Sequence, residues 1–124
     1  MNIKIKTTTI SLTPAISEYV EKRLAPLAKF FENDTTVKCD VELAKISKHH
    51  NKGEIFKAEI HIVAKDKNLY ASVEKEDLYA AIDLIRDDIT REIKNSNEKH
   101  RAVARKGGAK VKALIKGLGK GKNA

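Results

Sequence analysis

Nine cationic side chains stand between position 99 and the end of the chain with no carboxylate among them: Lys99, Arg101, Arg105, Lys106, Lys110, Lys112, Lys116, Lys120 and Lys122. Positions 1–98 carry 16 basic and 17 acidic residues, so the body is nearly neutral and the tail holds the excess behind the net charge of +8. Guanidinium groups grip phosphate as a planar fork, and ammonium groups act on it as point charges. A cationic segment on a neutral body is the composition of a chain that meets a polyanion. The bland alternative is a solubilising tail, but such tails are more often acidic or mixed. A second basic group, Lys45, Lys48, His49, His50 and Lys52, falls in one polar stretch that reads as a hairpin loop from Lys45 to Gly53. Its adjacent histidines could ligate a metal, yet no further Cys or carboxylate cluster accompanies them, so no metal site is expected.

Residue types that could do covalent chemistry are present without the spacing it requires. Cys39 is the single cysteine, which excludes an internal disulfide and a Cys-rich zinc site. It alternates with apolar neighbours and reads as core rather than as a nucleophile. The four histidines, His49, His50, His61 and His100, fit neither a triad nor an H-E-x-x-H pattern. Gly117-Leu118-Gly119-Lys120-Gly121-Lys122 imitates a phosphate loop, but Asn123 stands where Ser or Thr is needed and no strand precedes it. No catalytic set, no cofactor and no small-molecule substrate are therefore expected, and an enzyme of nucleotide chemistry is the weakest reading.

These residues must be positioned by a fold that 124 residues can build, which is one domain. Hydrophobic residues make up 41% and charged residues 34%, enough for a packed core. No apolar run is long enough to span a membrane, and MNIKIKTTTI has no apolar stretch of signal-peptide length, so a cytoplasmic chain with no membrane partner is expected. Positions 1–98 are assigned to the folded domain and 99–124 to a flexible Gly/Lys/Ala-rich tail. Within the tail, Val111, Leu114, Ile115 and Leu118 fit one helical face that could order on an RNA or membrane surface.

Alternation of Ile3 and Ile5 with Lys4 and Lys6 predicts a half-buried strand over 2–9. Thr13 is a candidate N-cap with Pro14 at the first helical position. Ile16, Tyr19, Val20, Leu24 and Leu27 follow helical spacing, and Pro26 should kink or end that helix. Asn33-Asp34 reads as a turn. Val37, Cys39, Val41 and Leu43 mark a second strand. Phe56, Ala58, Ile60, Ile62 and Ala64 mark a third. A tight turn over Lys65-Asp66-Lys67-Asn68 leads to a fourth strand with Leu69, Ala71 and Val73 inward and Tyr70 outward. Glu74, Glu76 and Asp77 load the start of a second helix, where negative charge suits the dipole. Leu78, Ile82, Ile85, Ile89 and Ile93 supply its apolar stripe, and Asn95-Ser96-Asn97 is expected to end it. The fold class is α+β in the order β-α-β-β-β-α, with a parallel first strand pair, an antiparallel meander and two helices on one face of the sheet.

At this level of detail the chain resembles a known family. Asp77-Leu78-Tyr79-Ala80-Ala81-Ile82-Asp83 followed by Arg91, the Thr13-Pro14-Ala15-Ile16 helix start, Tyr19-Val20-Glu21-Lys22-Arg23-Leu24 and the hairpin order are similar to ribosome hibernation promoting factors. These are also called ribosome-associated inhibitors or ribosomal subunit interface proteins. The resemblance covers about positions 1–100 and corresponds to the short form, without the C-terminal dimerisation domain of longer members. It implies a fold related to double-stranded-RNA-binding domains. It also implies binding of the small ribosomal subunit in the channel used by messenger RNA and transfer RNA, with translation silenced in stationary phase or stress.

The resemblance carries the 16S ribosomal RNA contacts onto Lys22 and Arg23 of the first helix and Arg91 of the second, with Lys29 and Lys94 near such positions. Because Arg is the better phosphate fork, Arg23, Arg86 and Arg91 are the expected positioning contacts, supported by Lys22, Lys29 and Lys94; Lys99 and Arg101 complete the candidate RNA-binding set. Pairing of Glu18 with Lys22 and of Asp87 with Arg91 would turn some of these into local ion pairs. Asp87, Asp88 and Glu92 depart from the family pattern, which has neutral or basic residues at the first two positions and often Gln at the third, and they weaken the positive field of the second helix. Two other readings stay open: a general structured-RNA-binding module, and a protein–protein transcription regulator that uses the open sheet face. Tyr79 could stack on a base but reads better as a partly buried helix residue.

Overall fold

The computed structural model describes residues 1–46, 53–65 and 67–117, the stretch 99–117 by its backbone only. The strands are β1 (Asn2–Thr8), β2 (Lys38–Ile46), β3 (Ile55–Ala64) and β4 (Lys67–Lys75). Helix α1 (Pro14–Leu24) is followed by a 3-10 segment (Ala25–Phe31), and helix α2 (Leu78–Gly117) closes the order. This is the expected α+β, β-α-β-β-β-α arrangement. The chain divides into two compact units, Met1–Ile93 and Lys94–Ala124. The first contains the whole sheet.

Strand order in the sheet is β1-β2-β3-β4. β1 and β2 run parallel, and the two later pairs are antiparallel. The register stacks like with like. Ile3, Cys39, Ile62 and Leu69 form one row across the sheet, and Ile5, Val41, Ile60 and Ala71 form the next. On the opposite face the rows are Lys4, Asp40, His61 and Tyr70, then Lys6, Glu42, Glu59 and Ser72. A period of two residues thus separates a dry face from a wet one. The dry face meets Val20 and Leu24 of α1, Leu27 of the 3-10 segment, and Leu78, Ala81, Ile82, Ile85, Ile89 and Ile93 of α2 in one continuous core. Each fully buried aliphatic side chain there contributes about 1.5–3 kcal/mol relative to exposure.

Local signals set the helix ends. The Thr13 hydroxyl accepts from Ile16 N at 3.2 Å, capping α1 with Pro14 at its first position. Pro26 lacks an N–H and would crowd a preceding carbonyl, so the α pattern stops at Leu24 and tightens to 3-10. Glu32 and Asn33 then take left-handed backbone, φ 54° and 57°. Asp34 completes the turn by accepting from both the N–H and the hydroxyl of Thr36. β1 stops at Thr8 because Thr9 has a φ of 66°, where a β-branched residue is strained; its hydroxyl bridges to the backbone of Lys45.

Four expectations are corrected. Asn95-Ser96-Asn97 does not end α2, which runs on to Gly117. Asn and Ser inside a helix each cost only a fraction of a kcal/mol, and no proline follows to break the ladder. Of the three carboxylates assigned to the start of α2, only Asp77 reaches it, accepting from Ala80 N at 3.0 Å; Glu74 lies in β4, and the first turn of the helix holds no acidic residue. The turn between β3 and β4 is shorter than expected. Ala64 pairs with Lys67, so Lys67 and Asn68 are already strand. Finally, Lys45 belongs to β2, opposite Phe56, rather than to the hairpin loop; Lys48, His49, His50 and Lys52 lie outside the described residues.

Candidate nucleic-acid interface

The flanks of α1 and α2 carry a linked set of side chains at i, i+4 spacing on each helix. Tyr19 and Arg23 lie one turn apart on α1, and Tyr79 and Asp83 lie one turn apart on α2. The Tyr79 ring meets the Tyr19 ring edge-on, with centroids 4.9 Å apart and planes at 85°. The Tyr19 hydroxyl donates to Asp83 Oδ1 at 2.7 Å. Arg23 Nε sits 2.8 Å from the same oxygen, a charge contact in which the buried N–H has no in-line acceptor. The bond to the Asp83 carboxylate, with its negative charge, raises the Tyr19 phenol above its ordinary pKa. In the sequence, Tyr19 stands out by its helical spacing and both Tyr19 and Asp83 by the family motifs, neither as a contact residue. The matching i, i+4 spacing on two helices of one core was the available signal.

The expected contact residues separate by environment. Lys22 is exposed and has no ion pair among the described residues. The Glu18–Lys22 pair that the i, i+4 spacing allowed is not formed. Lys29 is exposed, with Nζ 5.4 Å from the Phe30 ring centroid. Arg86 is half-buried and places Nη2 3.0 Å from Asp87 Oδ1, while its Nε is buried without a partner. Arg91 pairs with Asp88 at 3.1 Å, one turn back, and not with Asp87, the partner its i, i+4 spacing allowed. Asp87 is taken by Arg86, which leaves Asp88 as the carboxylate within reach. Lys94, in the second unit, is exposed. The side chains of Lys99 and Arg101 lie outside the described residues.

Within the first unit, α1, the 3-10 segment and α2 up to Ile93 carry five cations against six carboxylates. This helical layer is a mixed-charge surface with three cations whose ammonium or guanidinium termini donate to no carboxylate among the described residues: Lys22, Lys29 and Arg23 at its terminal nitrogens. The excess positive charge of the whole chain sits beyond Glu98.

The open sheet face holds a shallow depression of about 570 Å³ lined by Lys4, Lys6, Asp40, Glu42, Glu59, His61 and Tyr70, among others. Tyr70 donates to Glu59 Oε2 at 2.8 Å, and Lys57 pairs with the same oxygen at 2.9 Å. The Lys57 and Tyr70 bonds hold the Glu59 carboxyl below its ordinary pKa. Carboxylates stand in each row, so this face is a poor match to phosphate. Among the described residues no group of three or more His, Cys, Asp or Glu side chains could hold a metal ion. No helix among them is long and apolar enough to cross a membrane.

The sequence profile described as Sigma 54 modulation protein / S30EA ribosomal protein matches residues 3–101. The chain belongs to this family. It is 32% identical over 119 residues to the ribosome hibernation promotion factor of Bacillus subtilis (strain 168), covering 96% of this chain and 60% of that protein. It is 34% identical over 105 residues to that of Picosynechococcus sp., with 81% and 51% covered. The chain thus spans between about half and two thirds of these relatives' lengths. The Azotobacter vinelandii ribosome hibernation promoting factor is 28% identical over 99 residues, with 80% of this chain and 85% of the relative covered. Among solved structures, the Thermus thermophilus Protein Y N-terminal domain superposes with a TM-score of 0.64 at 32% identity, covering 77% of this chain and 98% of that one. The family match takes in the strands, both helical flanks and the Tyr19–Asp83–Arg23 set.

Proposed function

We propose that this chain is a non-enzymatic ribosome hibernation factor. It binds the small ribosomal subunit in the cytoplasm, in the channel used by messenger RNA and transfer RNA, and silences translation in stationary phase or stress. The observation that carries the reading is the family match over residues 3–101, with relatives named as hibernation factors. The physical arrangement suits such a role. A plug in a channel walled by phosphate needs shape and a few placed cations, since A-form RNA shows side chains little base-edge information. The first unit supplies a firm body with Lys22, Arg23 and Lys29 open at its helical layer, and Arg86 and Arg91 held in local pairs that a phosphate could replace. The nine tail cations add sequence-independent attraction.

Co-sedimentation of the purified chain with small subunits, large subunits and whole ribosomes, at low and physiological salt, tests the reading. Binding to small subunits and whole ribosomes that is lost when messenger RNA and transfer RNA fill the channel is the expected result. Equal binding to both subunits would reduce the protein to a general RNA-binding module. No binding at physiological salt would overturn the reading.

A further inference from the structure

We propose that Asp83, held by the Tyr19 hydroxyl, is a positioning residue that sets the Arg23 guanidinium with its terminal nitrogens outward for one RNA phosphate. The inference rests on the ribosome-binding reading above and deepens it. A carboxylate beside an RNA-binding arginine is, on charge alone, a hindrance, because it repels phosphate and competes for the fork. The geometry here differs from competition. Asp83 Oδ1 lies 2.8 Å from Arg23 Nε, an ion contact without a hydrogen bond, and among the described residues the two terminal nitrogens, which are the groups that grip phosphate side by side, donate no hydrogen bond to a carboxylate. The same oxygen accepts from Tyr19 at 2.7 Å, and Tyr19 is wedged edge-on by Tyr79, so the carboxylate is anchored from both helices. Arg23 is about one-third exposed, which leaves room for a ligand at the outer end while its Nε is buried.

An arginine free to rotate loses side-chain entropy when it binds, and an arginine already oriented by an ion contact at Nε loses less. The same set ties α1 to α2, so the phosphate contact and the inter-helix angle share one carboxylate. Arg86 lacks such a clamp: its partner Asp87 meets a terminal nitrogen, the end a phosphate would need.

The test is a double-mutant cycle on the full chain, read as affinity for purified small subunits and as thermal stability. Asp83→Asn keeps the shape and removes the charge. Positioning predicts that it weakens binding by about 3–10-fold, a part of what one charged hydrogen bond contributes. Simple charge repulsion predicts the opposite sign. In the Arg23→Ala background, Asp83→Asn should no longer weaken binding and should tighten it, since only the repulsion remains. Tyr19→Phe, which leaves the carboxylate in place but frees it, should weaken binding by a smaller factor, again only when Arg23 is present. A structural effect alone would lower the melting temperature and weaken binding equally in both backgrounds, which would overturn the proposal. Unchanged or tighter binding by Asp83→Asn in the native background would also overturn it while leaving the ribosome reading intact. Absence of binding by the unaltered chain would remove that reading and the inference with it.

Discussion

Neutralising the nine cations from Lys99 to Lys122 by replacement with Gln should remove most of the salt dependence of ribosome binding. Gln matches Lys and Arg closely in helix propensity, so the backbone of α2 is not put at risk. The magnitude follows from the charge placement. In the helical layer of the first unit, Lys22, Lys29 and the outer end of Arg23 are the cations that donate to no carboxylate, while Arg86 and Arg91 are engaged by Asp87 and Asp88. Three phosphate contacts give a slope of log affinity against log salt of about −2 to −3, and nine more add about −6 to −8 if every tail cation finds a phosphate. Between 50 and 200 mM salt the native chain should then lose roughly 10⁵–10⁶-fold in affinity if every tail cation is engaged, and the neutralised chain only about 20–40-fold. Fluorescence anisotropy of labelled protein against small subunits, at four or five potassium chloride concentrations, reads both slopes. Equal slopes would refute the division of labour between a shaped neutral body and a cationic tail.

Other expected outcomes concern the body. Ile89→Ala, at a fully buried position of α2, should destabilise the fold by about 2–5 kcal/mol in urea unfolding, whereas an unchanged midpoint would place the helix outside the core. Burial pushes the Cys39 thiol up to about 12, so iodoacetamide at pH 8 should leave it unmodified in the folded chain and alkylate it in urea; rapid labelling of the native protein would contradict the burial. The Thr36 backbone N–H and hydroxyl hold the Asp34 carboxyl below its ordinary value of 3.8. Its stabilisation is therefore present above that value and is lost as pH falls through the lower folded value. The melting-temperature gap between the native chain and Asp34→Ala should narrow from pH 5 to pH 2, and a constant gap would mean that the carboxylate does not anchor the turn.

The strands were legible because each is half wet. Ile3 and Ile5, then Cys39, Val41 and Leu43, then Ala58, Ile60 and Ile62 alternate with charged residues, and alternation of that kind has one structural solution. The start of α1 was legible at Thr13 and Pro14, and its end at Pro26, since these residues act on the backbone within one turn. The end of α2 was not, because Asn95, Ser96 and Asn97 are only weak local breakers and the residues around them favour helix. Charge pairing was half legible. That acidic residues of α2 would engage Arg91 followed from spacing, but Asp88 rather than Asp87 does so, a choice made by side-chain geometry and by the competing Arg86.

The sequence alone determined the element order, the single dry sheet face, the absence of any spacing suited to covalent chemistry, and the concentration of positive charge beyond Glu98. All of these depend on residue type and on distances along the chain. Only the tertiary structure decided which cations remain open and which are engaged. Tyr19 and Asp83 are 64 residues apart, and nothing local to either position specifies their 2.7 Å bond. They meet because the apolar stripes of α1 and α2 both bury against one face of one sheet, which brings the two helix flanks together and sets Asp83 beside Arg23.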